Sequence, residues 1–205
     1  MHLRRGATTA RKRVGAPLAA ALLVVLLALA SPAPSLAVSA RASASASACP
    51  GAGAVPDGRN AALVDAATLC LMNQLRNARR LPSLRINSAL ARIASGQAND
   101  MVRGHYFADQ SITGQSPLSR IIASGYAHPA SVRLLTAQNI GCGTGPHATP
   151  AGIVDAWMHS PPHRRIMLTG AYRDVGIGAA ASVPFGISSR WLGGTYAVEF
   201  GTRGR

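Results

Sequence analysis

Histidine, cysteine and carboxylate side chains are the groups in this 205-residue chain that could do chemistry. His159 and His163 are four residues apart, the spacing of many helical zinc-binding pairs, but the dipeptide Pro161-Pro162 lies between them. Because proline interrupts a regular helix, the two imidazoles cannot lie on one helix face, and a zinc motif of that kind is excluded. Glu199 is the only glutamate, which excludes mechanisms that need two glutamates.

Three cysteines are present, Cys49, Cys70 and Cys142, and a single disulfide among them has three alternative pairings. A Cys49–Cys70 bridge would span 21 positions of the sequence. It would attach the N-terminal segment to the first predicted helix, a constraint that contributes about 3 kcal/mol in the loop-entropy estimate. Cys142 would then remain as a thiol. By residue type Cys142 and His163 could form a nucleophile and its base, but a single remaining cysteine is more often a small residue of the core.

The hydrophobic pattern predicts the elements that must position these side chains. The spacing of apolar residues, with the positions of Asn, Gly and Pro, predicts helices over 60–80, 87–101, 117–124 and 150–160, and one more turn over 163–168. Leu84 and Ile86 form a short extended pair, and alternation predicts strands over 175–179 and 196–200. Helices followed by strands favour an α+β domain whose helices pack on a small, mostly antiparallel sheet.

The N-terminus has the pattern of a secretory signal peptide. Residues 1–13 carry five basic residues and no acidic ones, residues 16–30 are apolar and uncharged, and residues 35–37 resemble a signal peptidase site. The apolar run of 15 residues is short for a membrane span, which needs about 20. We therefore predict a secreted protein with a signal peptide over 1–37, an Ala/Ser-rich linker and N-terminal segment over 38–59, and one domain over 60–205.

The chain is strongly basic, with 21 Lys and Arg against 7 Asp and Glu and a formal net charge of +14 at pH 7. Cleavage after residue 37 would remove five basic residues, so that 16 minus 7 leaves +9. Because export removes the chain from nucleic acid, we expect its partner to be a cell-envelope component, a lipid or an extracellular protein. Membrane contact is expected only through an uncleaved signal, and the expected state is a monomer. At 48% hydrophobic and 14% charged residues, the composition is that of a folded domain.

Six short motifs in a fixed order carry a resemblance to a known family. The most specific is Trp157-Met158-His159-Ser160-Pro161-Pro162-His163-Arg164-Arg165-Ile166-Met167, and the others are Asn73-x-x-Arg76, Pro82-x-Leu84, Asp100 to Phe107, Gln138-Asn139-Ile140, and the terminal pair Asp174 to Gly178 and Tyr196 to Gly201. Over residues 60–202 the chain resembles the CAP superfamily (cysteine-rich secretory proteins, antigen 5, pathogenesis-related 1), in its bacterial SCP-like extracellular branch. The resemblance implies a three-layer α-β-α sandwich.

The resemblance also implies a cleft, and this chain departs from the family at two of its three positions. Family members commonly carry a histidine where this chain has Asp109, a glutamate where it has Gln138, and a histidine where it has His163. In relatives the two histidines can hold a divalent metal. Here Asp109 and His163 would hold it, since Zn²⁺ accepts carboxylate oxygen and imidazole nitrogen, and His105 is a substitute ligand. An Asp109–His163 hydrogen bond without metal is the simpler alternative.

Three functions follow from these residues. The first is a secreted CAP-domain protein without catalytic residues, whose degenerate cleft of Asp109, Gln138 and His163 binds an envelope component, a lipid or an extracellular partner. The second is a metal-assisted hydrolase in which Asp109 and His163 hold Zn²⁺ that activates water. The third is a basic binder of anionic cell-envelope polymer. Because a glutamine side chain cannot act as a general base, the presence of Gln138 favours the first.

Overall fold

The computed structural model describes residues 49–127, 134–185 and 192–203. Its helices are α1 (Ala61–Asn77), α2 (Ser88–Arg103), α3 (Pro117–Ala123), α4 (Pro150–His159) and α5 (Pro161–Met167). Its strands are β1 (Arg85–Ile86), β2 (Leu134–Thr144), β3 (Asp174–Ala181) and β4 (Gly193–Arg203). The predicted signal peptide over 1–37 lies outside these residues. No helix within the described ranges has the length and apolar character needed to cross a membrane.

The four strands form one sheet in the order β1-β3-β4-β2. The β1–β3 pair is parallel, and β3–β4 and β2–β4 are antiparallel, which agrees with the predicted mostly antiparallel sheet. The predicted α+β class is thereby confirmed.

The prediction that strands occur only at the end of the domain is wrong, because β2 lies in the middle of the chain. The hydrophobic pattern did not predict β2, because this strand lies at an edge of the sheet and is only half-buried along most of its length. Three of its central residues are polar or glycine, namely Gln138, Asn139 and Gly141. A strand with little apolar alternation has no period-2 signal to detect.

Helices cover both faces of the sheet, as a three-layer sandwich requires. On one face α1 and α4 pack against the large side chains of β3 and β4, among them Ile177, Tyr196 and Phe200. On the other face α2 packs against small residues, so that Ala98 and Met101 contact Ala180 and Ala197. The strand alternation that sends successive side chains to opposite faces separates the two cores.

Local signals set the helix boundaries. Asn87 caps α2, because its side-chain oxygen accepts hydrogen bonds from the main-chain N–H groups of Ala89 and Leu90. Thr149 caps α4 in the same way, with the N–H of Gly152 as the donor at 3.1 Å. Pro161 begins α5 instead of merely ending α4, since a proline at the first position of a helix loses no hydrogen bond.

Two ties hold the N-terminal half of the domain to the rest. The disulfide joins Cys49 to Cys70 of α1, and Cys142 is a free thiol. Arg76, also on α1, is fully buried and donates hydrogen bonds to four main-chain carbonyl oxygens, those of Pro82, Met167, Thr169 and Tyr172, at 2.7–3.2 Å. A single guanidinium therefore links α1 to the loop before β1 and to the segment from the end of α5 to β3.

Candidate functional site

A side-chain pair between β2 and β4 is the centre of the site. The antiparallel register places Gln138 directly opposite Glu199, and directly opposed residues of neighbouring strands share one face of the sheet. The Gln138 side-chain amide donates to Glu199 Oε1 at 2.5 Å. Glu199 is fully buried, whereas Gln138 is half-buried. Glu199, the only glutamate of the chain, thus lies directly opposite Gln138. Gln138 is the residue at the position where family members commonly carry a glutamate.

Arg120 of α3 lies next to the Gln138–Glu199 pair. Its Nη2 is 4.0 Å from Glu199 Oε1, and its side chain is only 10% exposed. The same guanidinium donates to the main-chain oxygens of Asp109 and Gln115, each at 2.8 Å. Arg120 therefore connects the loop before α3 to the buried carboxyl group, and it brings the main chain of Asp109 close to Glu199.

The surroundings of Glu199 shift the ionisation of its carboxyl group toward neutral pH. Burial raises its pKa to about 7, because a low-dielectric environment disfavours the charged form. The hydrogen bond from Gln138 and the positive charge of Arg120 lower the pKa, and the negative charge of Asp109 raises it. The burial effect is the largest of these, so Glu199 can donate a hydrogen bond near neutral pH.

Three buried polar atoms of this cluster have no hydrogen-bond partner within the described residues: Gln138 Oε1, Glu199 Oε2 and Arg120 Nε. Nearly all buried polar groups in folded proteins are hydrogen-bonded, to protein or to ordered water. Ordered water or a ligand atom would complete the hydrogen bonds of these three atoms. We call Asp109, Arg120, Gln138 and Glu199 the polar cleft.

The structure places the predicted cleft residues in two groups. Asp109 is exposed and Gln138 is half-buried, and both adjoin Glu199. His163, at the start of α5, makes its contacts elsewhere: its Nδ1 is 2.8 Å from Ser160 Oγ, and its main-chain oxygen accepts a hydrogen bond from Asn139. In the described structure His163 has no hydrogen bond or ion pair with the polar cleft, and its role stays a prediction.

The predicted metal ligands Asp109 and His163 are not paired with each other in the described structure. No ion pair within 4.0 Å joins Asp109 to His163. Over the described ranges, no group of three or more His, Cys, Asp or Glu side chains could hold an ion. His105 is directed to another loop, where its Nδ1 is 3.2 Å from the main-chain oxygen of Pro184. The zinc site on Asp109 and His163 therefore stays a prediction, and no step of the proposed function passes through a metal.

Cys142 is half-buried on β2, opposite Thr195. Burial raises the pKa of its thiol, which disfavours the thiolate that a nucleophile requires. It makes no hydrogen bond to His163 in the described structure. A Cys142–His163 nucleophilic pair therefore has no support from the geometry.

Sequence reasoning missed Glu199 and Arg120 as site residues. A signal for Glu199 was present, because a single acidic residue interrupts the apolar strand 196–200 on the face opposite Tyr196 and Val198. Buried charged residues are rare unless they have partners, so a glutamate there indicates a partner on the next strand. Arg120 carried no such signal, since an arginine in a short helix is ordinary.

The comparison with known proteins agrees with this fold. The family model described as the cysteine-rich secretory protein family, CAP, matches residues 69–184, more than half of the chain. The chain belongs to this family. The YkwD protein of Bacillus subtilis (strain 168), itself uncharacterized, is 30% identical over 112 residues, which are 55% of this chain and 40% of that protein.

Two solved structures share the fold at low identity. An extracellular protein of Bacillus anthracis strain Ames that contains an SCP domain has a TM-score of 0.54 and 19% identity, over 71% of this chain and 43% of that one. An outer surface protein of Borrelia burgdorferi has a TM-score of 0.50 and 20% identity, over 66% of this chain and 90% of that one. The chain thus spans less than half the length of the two Bacillus relatives.

Proposed function

We propose that this chain is a secreted binding protein that holds a component of the cell envelope in the polar cleft and does not catalyse a reaction on it. The observation that carries the proposal is the set of three partnerless buried atoms on Gln138, Glu199 and Arg120. A cluster of this kind is stable only if another molecule, ligand or water, completes its hydrogen bonds.

The chemistry of the cleft suits an uncharged ligand. Because the pKa of Glu199 is about 7, the protonated form of its carboxyl group, which donates, is well populated near neutral pH, while Gln138 Oε1 accepts. Exposed Asp109 beside the pair disfavours an anion. A molecule rich in hydroxyl and amide groups, such as the sugar and peptide units of an envelope polymer, offers both kinds of partner.

Secretion is part of the proposal. The pattern of residues 1–37 supports it, and so does the Cys49–Cys70 disulfide, because disulfides persist in oxidising compartments. The two structural neighbours are an extracellular protein and an outer surface protein.

The test is calorimetric titration of the chain from residue 38 onward with soluble cell-wall fragments. The double variant Gln138→Leu/Glu199→Leu replaces both partners of this hydrogen bond by apolar groups of similar size, and Arg120 keeps its bonds to the main-chain oxygens of Asp109 and Gln115. We expect the wild type to bind and the double variant to bind at least about tenfold more weakly. Asp155→Ala, on the exposed side of α4, is the control and should bind like the wild type.

Other results would contradict the proposal in distinguishable ways. Equal binding by the double variant would remove the site from the polar cleft. Binding to phospholipid vesicles but not to the fragments would replace the envelope polymer by a lipid. Hydrolysis of the fragments by the wild type, abolished in His163→Ala, would make the protein an enzyme.

A further inference from the structure

A second polar surface lies between α2, α3 and the loop that joins them. It is a groove of about 490 Å³ whose charged lining consists of Arg92, Arg103, Arg120 and Asp100. Arg120 separates it from the polar cleft, because the guanidinium that lines the groove also contacts Glu199. We call this surface the arginine groove.

Two of its arginines are available to a ligand. Arg92 and Arg103 are exposed, and neither has a hydrogen bond or an ion pair with any residue in the described parts of the chain. They are eleven residues apart on α2, which is close to three full turns. Their Cα atoms therefore lie on one face of the helix and about 16 Å apart along its axis.

The remaining charged groups of the groove already have partners. Asp100 Oδ2 accepts a hydrogen bond from the Tyr106 hydroxyl at 2.5 Å. Arg120 is held by two main-chain oxygens and is 10% exposed. Three arginines and one carboxylate give the groove a net positive charge. Arg92 and Arg103, which have no partners in the described parts of the chain, place this charge at the protein surface.

The space between the two arginines is open. Gly96 lies between them on α2, and a Cβ built on it has no atom within 4 Å. Ser111 and Thr113 of the opposite wall line the groove with hydroxyl groups. A chain-like molecule can therefore lie over Gly96 and reach Arg92 and Arg103 together.

We propose that the arginine groove binds a linear polyanion of the cell envelope, a polymer with repeating phosphate or carboxylate groups. Guanidinium groups bind both oxyanions bidentately. A chain that contacts Arg92 binds Arg103 intramolecularly and gains affinity from the linkage, whereas a small anion reaches one arginine at a time. The net charge of +14 for the whole chain, or +9 without residues 1–37, attracts such a polymer from a distance.

The test uses two chain probes, inorganic polyphosphate and polyglutamate, with orthophosphate as the single-group probe. We expect the chain from residue 38 onward to bind at least one polymer at least about tenfold more tightly than orthophosphate, per molecule. Arg92→Ala/Arg103→Ala should lower that affinity at least about tenfold. It should also reduce the slope of log K against log salt by about one per arginine.

Two further variants separate the groove from diffuse charge. Arg59→Ala/Arg85→Ala removes the same charge from exposed positions elsewhere and should bind like the wild type. Gly96→Phe fills the groove without changing the charge and should weaken binding. A loss of affinity in the Arg59/Arg85 variant as large as in the Arg92/Arg103 variant, or full binding by Gly96→Phe, overturns the proposal.

The two sites share Arg120, but their tests give distinguishable results. Gln138→Leu/Glu199→Leu should bind the polymer like the wild type, because neither residue lines the groove. Phosphatidylglycerol vesicles form the last arm of the experiment. If the protein binds these vesicles but neither soluble polymer, the occupant is a membrane surface and the polymer proposal is wrong.

Discussion

Glu199 and Asp65 are two carboxyl groups whose ionisation burial shifts to near pH 7. Burial raises the pKa of Asp65, on α1, to about 7, while the main-chain amide of Ala179 lowers it. Its Oδ1 is buried and has no hydrogen-bond partner in the described residues. Burial also raises the pKa of Glu199 to about 7. Both groups make the folded chain bind protons that the unfolded chain releases.

The pH dependence of stability follows from these two groups. In the unfolded chain they lose their protons near their ordinary pKa values, 3.8 for Asp65 and 4.5 for Glu199, and in the folded chain near pH 7. Between about pH 4 and pH 7, rising pH therefore favours the unfolded state, and above pH 7 the effect is constant. We expect the free energy of urea unfolding to fall by a few kcal/mol over this range.

Neutral variants identify the groups responsible. Asp65→Asn and Glu199→Gln should each flatten part of the decrease between about pH 4 and pH 7, because an amide has no proton to release in this range. The measurement is the free energy of urea unfolding at several pH values. An undiminished decrease in the double variant would show that other groups cause it.

Zinc binding at Asp109 and His163 can be tested without assuming an activity. Because no ion pair joins the two side chains within 4.0 Å, we expect added Zn²⁺ to raise the melting temperature by no more than it does for Asp109→Ala/His163→Ala. A larger rise in the wild type, with one ion bound per chain in calorimetry, would support the metal site and the hydrolase.

At the scale of elements, the contact of α2 with β3 depends on two glycines. A Cβ on Gly176 would lie 2.0 Å from the main-chain carbon of Leu90, and one on Gly178 would lie 2.2 Å from the main-chain nitrogen of Ser95. Main-chain atoms cannot move aside as a flexible side chain can. The helix therefore lies directly on the strand, and this contact positions the α2 wall of the arginine groove.

Gly176→Ala tests this contact. We expect a loss of at least about 3 kcal/mol in the free energy of unfolding, since α2 would have to move away from the sheet. Gly96→Ala is the matched control, on the open side of the same helix. It should stabilise the chain by about 0.5–1 kcal/mol, because alanine is the better helix former. Similar effects of the two substitutions in chemical denaturation would contradict the close packing.

Among the described α-helices and strands, β2 is the element that the sequence did not predict. The two C-terminal strands and all five helices have local signals, such as the caps Asn87 and Thr149, and these elements could be predicted. A cap acts within three residues, so the sequence contains the whole signal. β2 could not be predicted, because a half-buried strand at the end of the sheet order is stabilised by its pairing with β4 more than by its own pattern.

At the scale of the whole molecule, the N-terminal segment and α1 are attached by a covalent bond and by one buried arginine. The disulfide constrains a 21-residue separation between Cys49 and Cys70. Arg76 binds four carbonyl oxygens, of which the most distant in sequence belongs to Tyr172. These ties connect the start of the domain to the segment that precedes β3.

Removal of the disulfide should destabilise the folded chain by about 3 kcal/mol. The comparison is between the wild type and Cys49→Ser/Cys70→Ser in urea unfolding, each with and without dithiothreitol. Reductant should destabilise the wild type to the level of the variant and leave the variant unchanged. If reductant changes both proteins equally, the effect comes from elsewhere, and Cys142 is the remaining thiol.

The sequence by itself determined the family, the fold class and the departures at Asp109 and Gln138, because motifs, caps and periodicity are read from neighbouring residues. Only the tertiary structure decided that Glu199 lies opposite Gln138, since residues 61 positions apart met through strand register. It also decided that His163 makes its contacts outside the polar cleft, and that three arginines share a groove. The reason is physical: periodicity indicates which side of an element is apolar, whereas pairing and packing select the elements that meet.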